Sequence, residues 1–400
     1  MTRCKKILMA LLLELFAVVL AFVQFGNGVQ TDEAKYLLNI PYPHPPLARF
    51  ILHLNQNWIH QELFWRIIFA TLLVQAVWIL LRLVQDLKQS ARVAVAASWL
   101  LSTGVLFQAG TVMMAPLTAL EALFFIYLLL RDDETVDMWL IATVWLVSLF
   151  TAYQAVLFAP IVCALILRSR VPLLQKIAAF AIPLLLLFLY TLSNPLALAS
   201  ITIHATKDVS DTIFIRLAAF LRVWFLGGSV VVSLVGLYGI IRARAWPLIG
   251  SFLLVSAYVL LARFDYYAIL FMPLSVAGVI LLLRKRQLAT FPFVVLLCLC
   301  SVAFALRMPP VFSPSPARRT MQMIDNAHIH GPLFISGSFG HNWQYESSQE
   351  IVRFNAALLS TAGAVICTSP CTAMDARSEW AHFRFSDPAV YVLKNPSDTN

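Results

Sequence analysis

Two adjacent carboxylates, Asp32 and Glu33, stand in the stretch Thr31-Asp32-Glu33-Ala34-Lys35-Tyr36, directly after the first long apolar run of the chain. A proline hinge follows a few residues later, Tyr42-Pro43-His44-Pro45-Pro46-Leu47. Acids at the lip of a membrane span can bind a polar group or take a proton from a hydroxyl. The prolines restrict the residues before them to extended geometry, which sets the direction of the loop. His44 then either presents that loop or touches a substrate. Tyr36 either anchors the interface, as tyrosines there commonly do, or hydrogen-bonds a substrate.

The elements that must position these acids follow from composition. Apolar residues make up 60% of the 400 and charged residues 12%, against roughly 45–50% and about 25% in soluble domains. The apolar residues fall in runs approaching or exceeding the ~20 needed to cross a bilayer, and such runs must be helical to satisfy their own backbone. The fold class is a polytopic α-helical membrane protein. A net charge of +9 could signal nucleic acid, but its distribution excludes that reading. Basic residues gather at Arg3, Lys5 and Lys6, at Arg82, Lys88 and Arg92, at Arg168, Arg170 and Lys176, at Arg242 and Arg244, and at Arg284, Lys285 and Arg286. These clusters separate alternate apolar runs, which is the positive-inside pattern.

With that rule the chain divides into about 11 spans: 7–23, 64–83, 93–107, 115–130, 138–149, 153–167, 177–192, 217–241, 246–262, 267–283 and 288–306. The first resembles a signal peptide in its basic start but lacks a small-residue cleavage site. It is expected to remain as a helix with a cytoplasmic N-terminus. Residues 24–62 form a first outside loop and 193–215 a second, which holds His204, Lys207 and Asp208. The transmembrane module is expected to cover 1–306.

From Arg307 the chain turns polar, with prolines at Pro309, Pro310, Pro314 and Pro316. Short apolar runs at 332–335, 364–367 and 389–393 predict buried strands in a small extracytoplasmic α/β domain over 307–400. Cys367 and Cys371 flank Thr368-Ser369-Pro370 there, and a local disulfide is expected in an oxidising compartment. The nearby histidines match no zinc spacing, so no metal site is assigned; a divalent ion used as cofactor stays open.

The acidic pair followed by His-Pro-Pro-Leu resembles the polyprenyl-phosphate-sugar-dependent glycosyltransferases of the GT-C fold, a family that includes protein O-mannosyltransferases and the aminoarabinose transferase of lipid A. Further segments extend the likeness over about residues 5–285. Phe64-Trp65-Arg66-Ile67-Ile68 resembles the opening of the family's second span. Tyr153-Gln154-Ala155-Val156-Leu157 with Pro160 resembles its KYTxxL…P segment. Arg263-Phe264-Asp265-Tyr266-Tyr267-Ala268-Ile269-Leu270 with Pro273 resembles its R…HYLLPxxP segment. The chain departs from the family where Met113-Met114-Ala115-Pro116-Leu117 carries no acid before Pro-Leu, although Glu121 lies one turn on, and where Ala152 replaces a common lysine.

The resemblance implies transfer of a sugar from a polyprenyl phosphate to a lipid A, glycan or protein acceptor, with inversion, on the extracytoplasmic face; the compact size and the lack of an Asn-x-Ser/Thr sequon favour a bacterial inner membrane. The resemblance makes Asp32 the base and Glu33 its orienting partner. A leaving phosphate needs cationic or hydrogen-bonding groups. Arg263, Arg66, Arg222 and Tyr267 are the candidates, with Tyr36, His44 and Lys207 as substrate-loop residues. A lipid or solute transporter would instead place charges near the midplane on broken helices, and a non-catalytic envelope-glycan assembly protein would keep the spans and dispense with the acids.

Overall fold

The computed structural model describes residues 3–41, 43–54, 61–131, 137–199, 213–262, 264–307, 315–337, 339–369, 374, 377, 379–384 and 388–393. The chain folds as two compact units. One comprises Met1–Phe22 with Pro41–Pro309; the other comprises Val23–Ile40 with Pro310–Asn400. The acidic segment 31–37 belongs to the unit that holds the C-terminal residues.

The first unit is helical. Its elements are α1 (Arg3–Asn27, which runs into the second unit), then, after α2 (Thr31–Leu37) of that unit, α3 (Leu47–Leu52), α4 (Gln61–Gln75), α5 (Val77–Leu83), α6 (Gln89–Leu100), α7 (Thr103–Gln108), α8 (Met114–Leu130), α9 (Met138–Thr151), α10 (Ala159–Arg168), α11 (Leu173–Ser193), α12 (Ile213–Ala243), α13 (Trp246–Ala262), α14 (Phe271–Arg284) and α15 (Thr290–Arg307). Two 3-10 segments, Tyr153–Phe158 and Asp265–Leu270, lead into α10 and α14. The expected spans fall on helical segments, with breaks: 64–83 is interrupted at 76 and 93–107 at 101–102, 153–167 and 267–283 open as 3-10 turns, and 217–241 kinks at Ser229, whose φ is 59°. Among the described residues, five helical stretches are long and apolar enough to cross a membrane, and shorter apolar helices accompany them. The 14 residues of α9 reach only about 21 Å at 1.5 Å per residue, less than the ~30 Å hydrocarbon layer.

Burial sorts these helices. α14 is buried along nearly its whole length, from Phe271 to Leu283, as expected of a helix that is apolar all round. α1 and α11 instead expose rows of leucine, among them Leu8, Leu12, Leu15, Leu185 and Leu189, which suits a lipid-facing surface. α12 and α14 approach closely through small residues: a Cβ on Gly278 would strike the backbone of Gly236, and one on Gly239 would strike Gly278. Such small-residue contacts let backbones pack where lipid offers no hydrophobic drive. Two arginines of the basic clusters satisfy the last carbonyls of α8. Arg168 donates to Leu129 (2.8 Å) and Arg284 to Leu130 (2.8 Å) as well as to Leu83 (3.0 Å), groups a helix C-terminus otherwise leaves open.

The second unit contains α2, then α16 (Pro316–Asn326), α17 (His341–Glu346) and a five-stranded mixed sheet in the order β2-β1-β3-β5-β4. β1 (Leu333–Ser336) lies parallel to β2 (Ile351–Arg353) and β3 (Ala364–Cys367), while β5 (Ala389–Leu393) runs antiparallel to β3 and β4 (Trp380–Arg384). Alternation along the strands feeds two cores. Leu333, Ile335, Ile366 and Val390 pack with Met321, Ile324 and Trp343, and Phe334, Val365 and Tyr391 pack with Leu359 and Trp380. The three apolar runs read from sequence are β1, β3 and β5. β2 is too short, and β4 too polar, to stand out. Cys367 is disulfide-bonded; Cys371 lies outside the described residues.

Candidate active site

Asp32 and Glu33 sit in the first turn of α2, where carboxylates complement the helix dipole. Their environments differ. Glu33 is buried (1% exposed) and its Oε2 accepts the backbone N–H of Gln30 at 2.9 Å, the reach-back of a capping carboxylate three residues in. Asp32 keeps a side chain 24% exposed and pairs with Lys35 Nζ at 2.8 Å. The position thus divides the pair: Glu33 builds the helix, and Asp32 presents an accessible carboxylate. Tyr36 is buried in the same helix.

The segment leading into α2 is bonded at every second residue to the C-terminal part of its own unit. Arg318 donates through Nη1 to the Phe25 carbonyl and stacks its guanidinium 5.1 Å from the Phe25 ring. Ser315 N donates to Asn27 O at 2.6 Å. Val29 N donates to Glu346 Oε1 at 2.8 Å, and Thr31 Oγ1 to Asn342 Oδ1 at 3.0 Å. Gly28 takes the left-handed φ of +86° between these anchors, and a Cβ there would come within 2.9 Å of Glu346 Oε1 and of Ser315 Oγ.

The membrane unit holds a second constellation, made of amides and phenols. Gln154, 5% exposed, donates through Nε2 to the hydroxyl oxygens of Tyr258 (2.8 Å) and Tyr267 (3.0 Å). The two rings meet edge-on at 4.9 Å, and Tyr266 donates to Tyr267 across 3.5 Å. Gln108 donates to the Tyr266 carbonyl at 2.6 Å. The buried carbonyl oxygens of both glutamines find no hydrogen-bond partner among the described residues, where most buried polar atoms have one. Gln154 thus spends both protons of one amide nitrogen on two phenol oxygens, which gathers amide and phenol groups at one place. Such neutral donors can hold an oxyanion.

The arginines expected near a phosphate divide. Arg66 is fully buried: its Nε pairs with Glu62 Oε1 at 2.8 Å and its Nη1 donates to the Gly110 carbonyl at 2.9 Å. It thereby braces the turn that carries Gln108. Arg222 remains exposed, with Nη2 2.9 Å from Asp265 Oδ1 as an ion pair without hydrogen-bond alignment. Asp265 opens the 3-10 segment that holds Tyr266 and Tyr267. Arg263 and Lys207 lie outside the described residues. The His44 ring stands 6.0 Å from that of Tyr153, beside the amide–phenol cluster's own segment. Glu121 accepts from Thr151 Oγ1 at 2.8 Å, two residues before Tyr153. Among the described residues no group of three His, Cys, Asp or Glu could hold a metal ion.

Sequence reasoning missed Gln108, Tyr258, Arg318, Asn342 and Glu346. Buried polar residues within apolar runs were a usable signal for the first two, since such residues in spans are costly and commonly functional. Glu346 and its neighbours carry no local signal.

These features define a class by fold: an integral membrane protein of many helices with a small mixed-sheet domain at its C-terminal end. ArnT from Cupriavidus metallidurans shares this fold over nearly the full chain. Its apo structure is similar with a TM-score of 0.64 at 13% identity, covering 97% of this chain and 98% of that one; its structure bound to undecaprenyl phosphate gives 0.64 at 12%, covering 99% of each. The mycobacterial arabinofuranosyltransferase AftD is more distant, with a TM-score of 0.49 at 12% identity over 99% of this chain and 40% of that one. No family model and no curated protein sequence matches the chain.

Proposed function

We propose that the protein is a membrane glycosyltransferase that moves a sugar from a polyprenyl phosphate to a lipid A, glycan or protein acceptor. The observation that carries this reading is the hydrogen bond from Gln154 to Tyr267. It joins, inside one unit, the two separate segments that resemble the family's motifs. The ArnT fold, in a protein whose structure contains undecaprenyl phosphate, supports a lipid-phosphate donor.

In this reading an acceptor hydroxyl attacks the anomeric carbon from the face opposite the phosphate, inverting it. Its proton passes to the carboxylate of Asp32. The carbon–oxygen bond to phosphate breaks, and the electron pair leaves on the phosphate oxygen. The phenols of Tyr258 and Tyr267, together with Arg222 and Arg263, stabilise that charge; Arg66 does so by bracing their neighbour Gln108. His44, Tyr36 and Lys207 shape the substrate loops. The N-terminus is cytoplasmic, the C-terminal domain is extracytoplasmic, and the membrane is a bacterial inner membrane.

Mass spectrometry of envelope glycolipids and glycoproteins tests this in three strains: a deletion, the deletion with wild type, and the deletion with Asp32→Asn at equal membrane levels. A sugar-sized mass restored by wild type alone is the expected result. Restoration by both removes Asp32 as the base and turns the reading towards transport or envelope-glycan assembly.

A further inference from the structure

We infer that Arg318 and Glu346 are positioning residues for the acid-bearing helix, which makes the C-terminal domain a working part of the catalytic machinery. The inference rests on the reading of Asp32 as the base. α2 has seven residues, below the ~12–15 at which even favourable sequences form helix alone in water. Its place must come from tertiary contacts, and those at its entry converge on one ion pair.

Glu346 divides its carboxylate, Oε1 taking Val29 N–H at 2.8 Å and Oε2 taking Arg318 Nε at 2.7 Å. The pair is nearly buried, with side chains 11% and 6% exposed. Arg318 in turn holds the Phe25 carbonyl in the last turn of α1, which also accepts the backbone N–H of Gly28 at 3.2 Å. One pair therefore fixes the chain on both sides of the left-handed Gly28, three residues before Asp32's own turn begins. Each is bonded to the backbone that leads into α2 and acts through it. A buried charge pair is a poor source of stability but a good device for fixing one arrangement over others.

The test uses the full-length protein in lipid nanodiscs, with Glu346→Ala, Arg318→Met, the milder Glu346→Gln and Asn342→Ala, and Arg377→Gln as a control at the exposed Arg377–Glu379 pair. Amide exchange is followed over residues 29–37 and elsewhere, and transfer is measured with undecaprenyl-phosphate-linked sugar. Glu346→Ala and Arg318→Met are expected to speed exchange over 29–37 by about tenfold or more, a local opening rather than a global one. They should lower kcat by about 10²-fold, the scale of an ångström-sized misplacement of a reacting group, with KM for the donor little changed. In an Asp32→Asn background they should add no further loss, because coupled residues are non-additive. Glu346→Gln, which still accepts from Val29, and Asn342→Ala, which removes only the Thr31 contact, should show smaller effects in the same order on both readouts. Unchanged exchange over 29–37, or faster exchange with unchanged kcat, or a full additional loss in the Asp32→Asn background, overturns the inference. If wild type transfers no sugar, the functional reading falls, and exchange alone decides whether the pair positions α2.

Discussion

Gln154 donates from Nε2 to the phenol oxygen of Tyr267 at 3.0 Å, across 113 residues of chain. The same nitrogen reaches Tyr258 at 2.8 Å. One buried amide nitrogen thereby joins two phenols from separate helical segments.

Removing this amide should weaken donor binding. Gln154→Leu removes the amide donor to the phenol oxygens of Tyr258 and Tyr267, and affinity for undecaprenyl phosphate is expected to fall about tenfold, equivalent to ~1.4 kcal/mol. Under the proposed function, Gln154→Glu sets a carboxylate beside the donor phosphate and should bind still more weakly. Titration of the lipid against purified protein measures both; wild-type affinity in Gln154→Glu would show that the cluster does not face the phosphate.

Asp32 and Glu33 should separate in kinetics and stability. Asp32→Asn is expected to cost about 10²- to 10⁴-fold in kcat, the usual contribution of a positioned general base, with little change in unfolding temperature. Glu33→Ala removes the bond to Gln30 N and should cost about 0.5–2 kcal/mol of local stability, visible as faster exchange in α2. Equal effects of the two on unfolding would contradict the division of labour between them.

Arg66 and Glu62 form a buried pair that cannot be broken cheaply. Arg66→Met removes the guanidinium from the buried Glu62 carboxylate, at an expected cost of about 3–5 kcal/mol, read as a large drop in thermal midpoint. The double variant Arg66→Met, Glu62→Leu should recover most of that loss, because the desolvation of both charges disappears together. It should not recover full activity, since the brace to the Gly110 carbonyl is gone.

The seam between α12 and α14 has no room for a side chain. Gly278→Ala would drive a methyl into the Gly236 backbone and should destabilise by about 1–3 kcal/mol or more. Gly26, whose Cβ position is open, is the matched control and should tolerate alanine. Expression level and unfolding temperature in detergent compare the two.

The sequence by itself determined the helical elements and much of the C-terminal sheet. Hydrocarbon offers no hydrogen-bond partner to backbone, so a long apolar run such as Phe271–Leu283 has one stable form. β1, β3 and β5 were legible for a related reason, because a continuous apolar run in a polar stretch must be interior. The acid pair was legible as chemistry too, since carboxylates in so apolar a chain stand out wherever they lie.

Which partners those elements found was decided by tertiary structure alone. Asp32 and Glu33 look equivalent as neighbours in sequence; only the capping bond to Gln30 N makes one structural and leaves the other accessible. Arg66 reads as a lip residue until Glu62 and the Gly110 carbonyl enclose it. Val29 and Glu346 stand 317 positions apart, and nothing local in either names the other. Periodicity and composition report what each segment must bury, a property of the segment itself. A hydrogen bond between distant segments depends on where the whole chain brings them, and only the folded molecule holds that information.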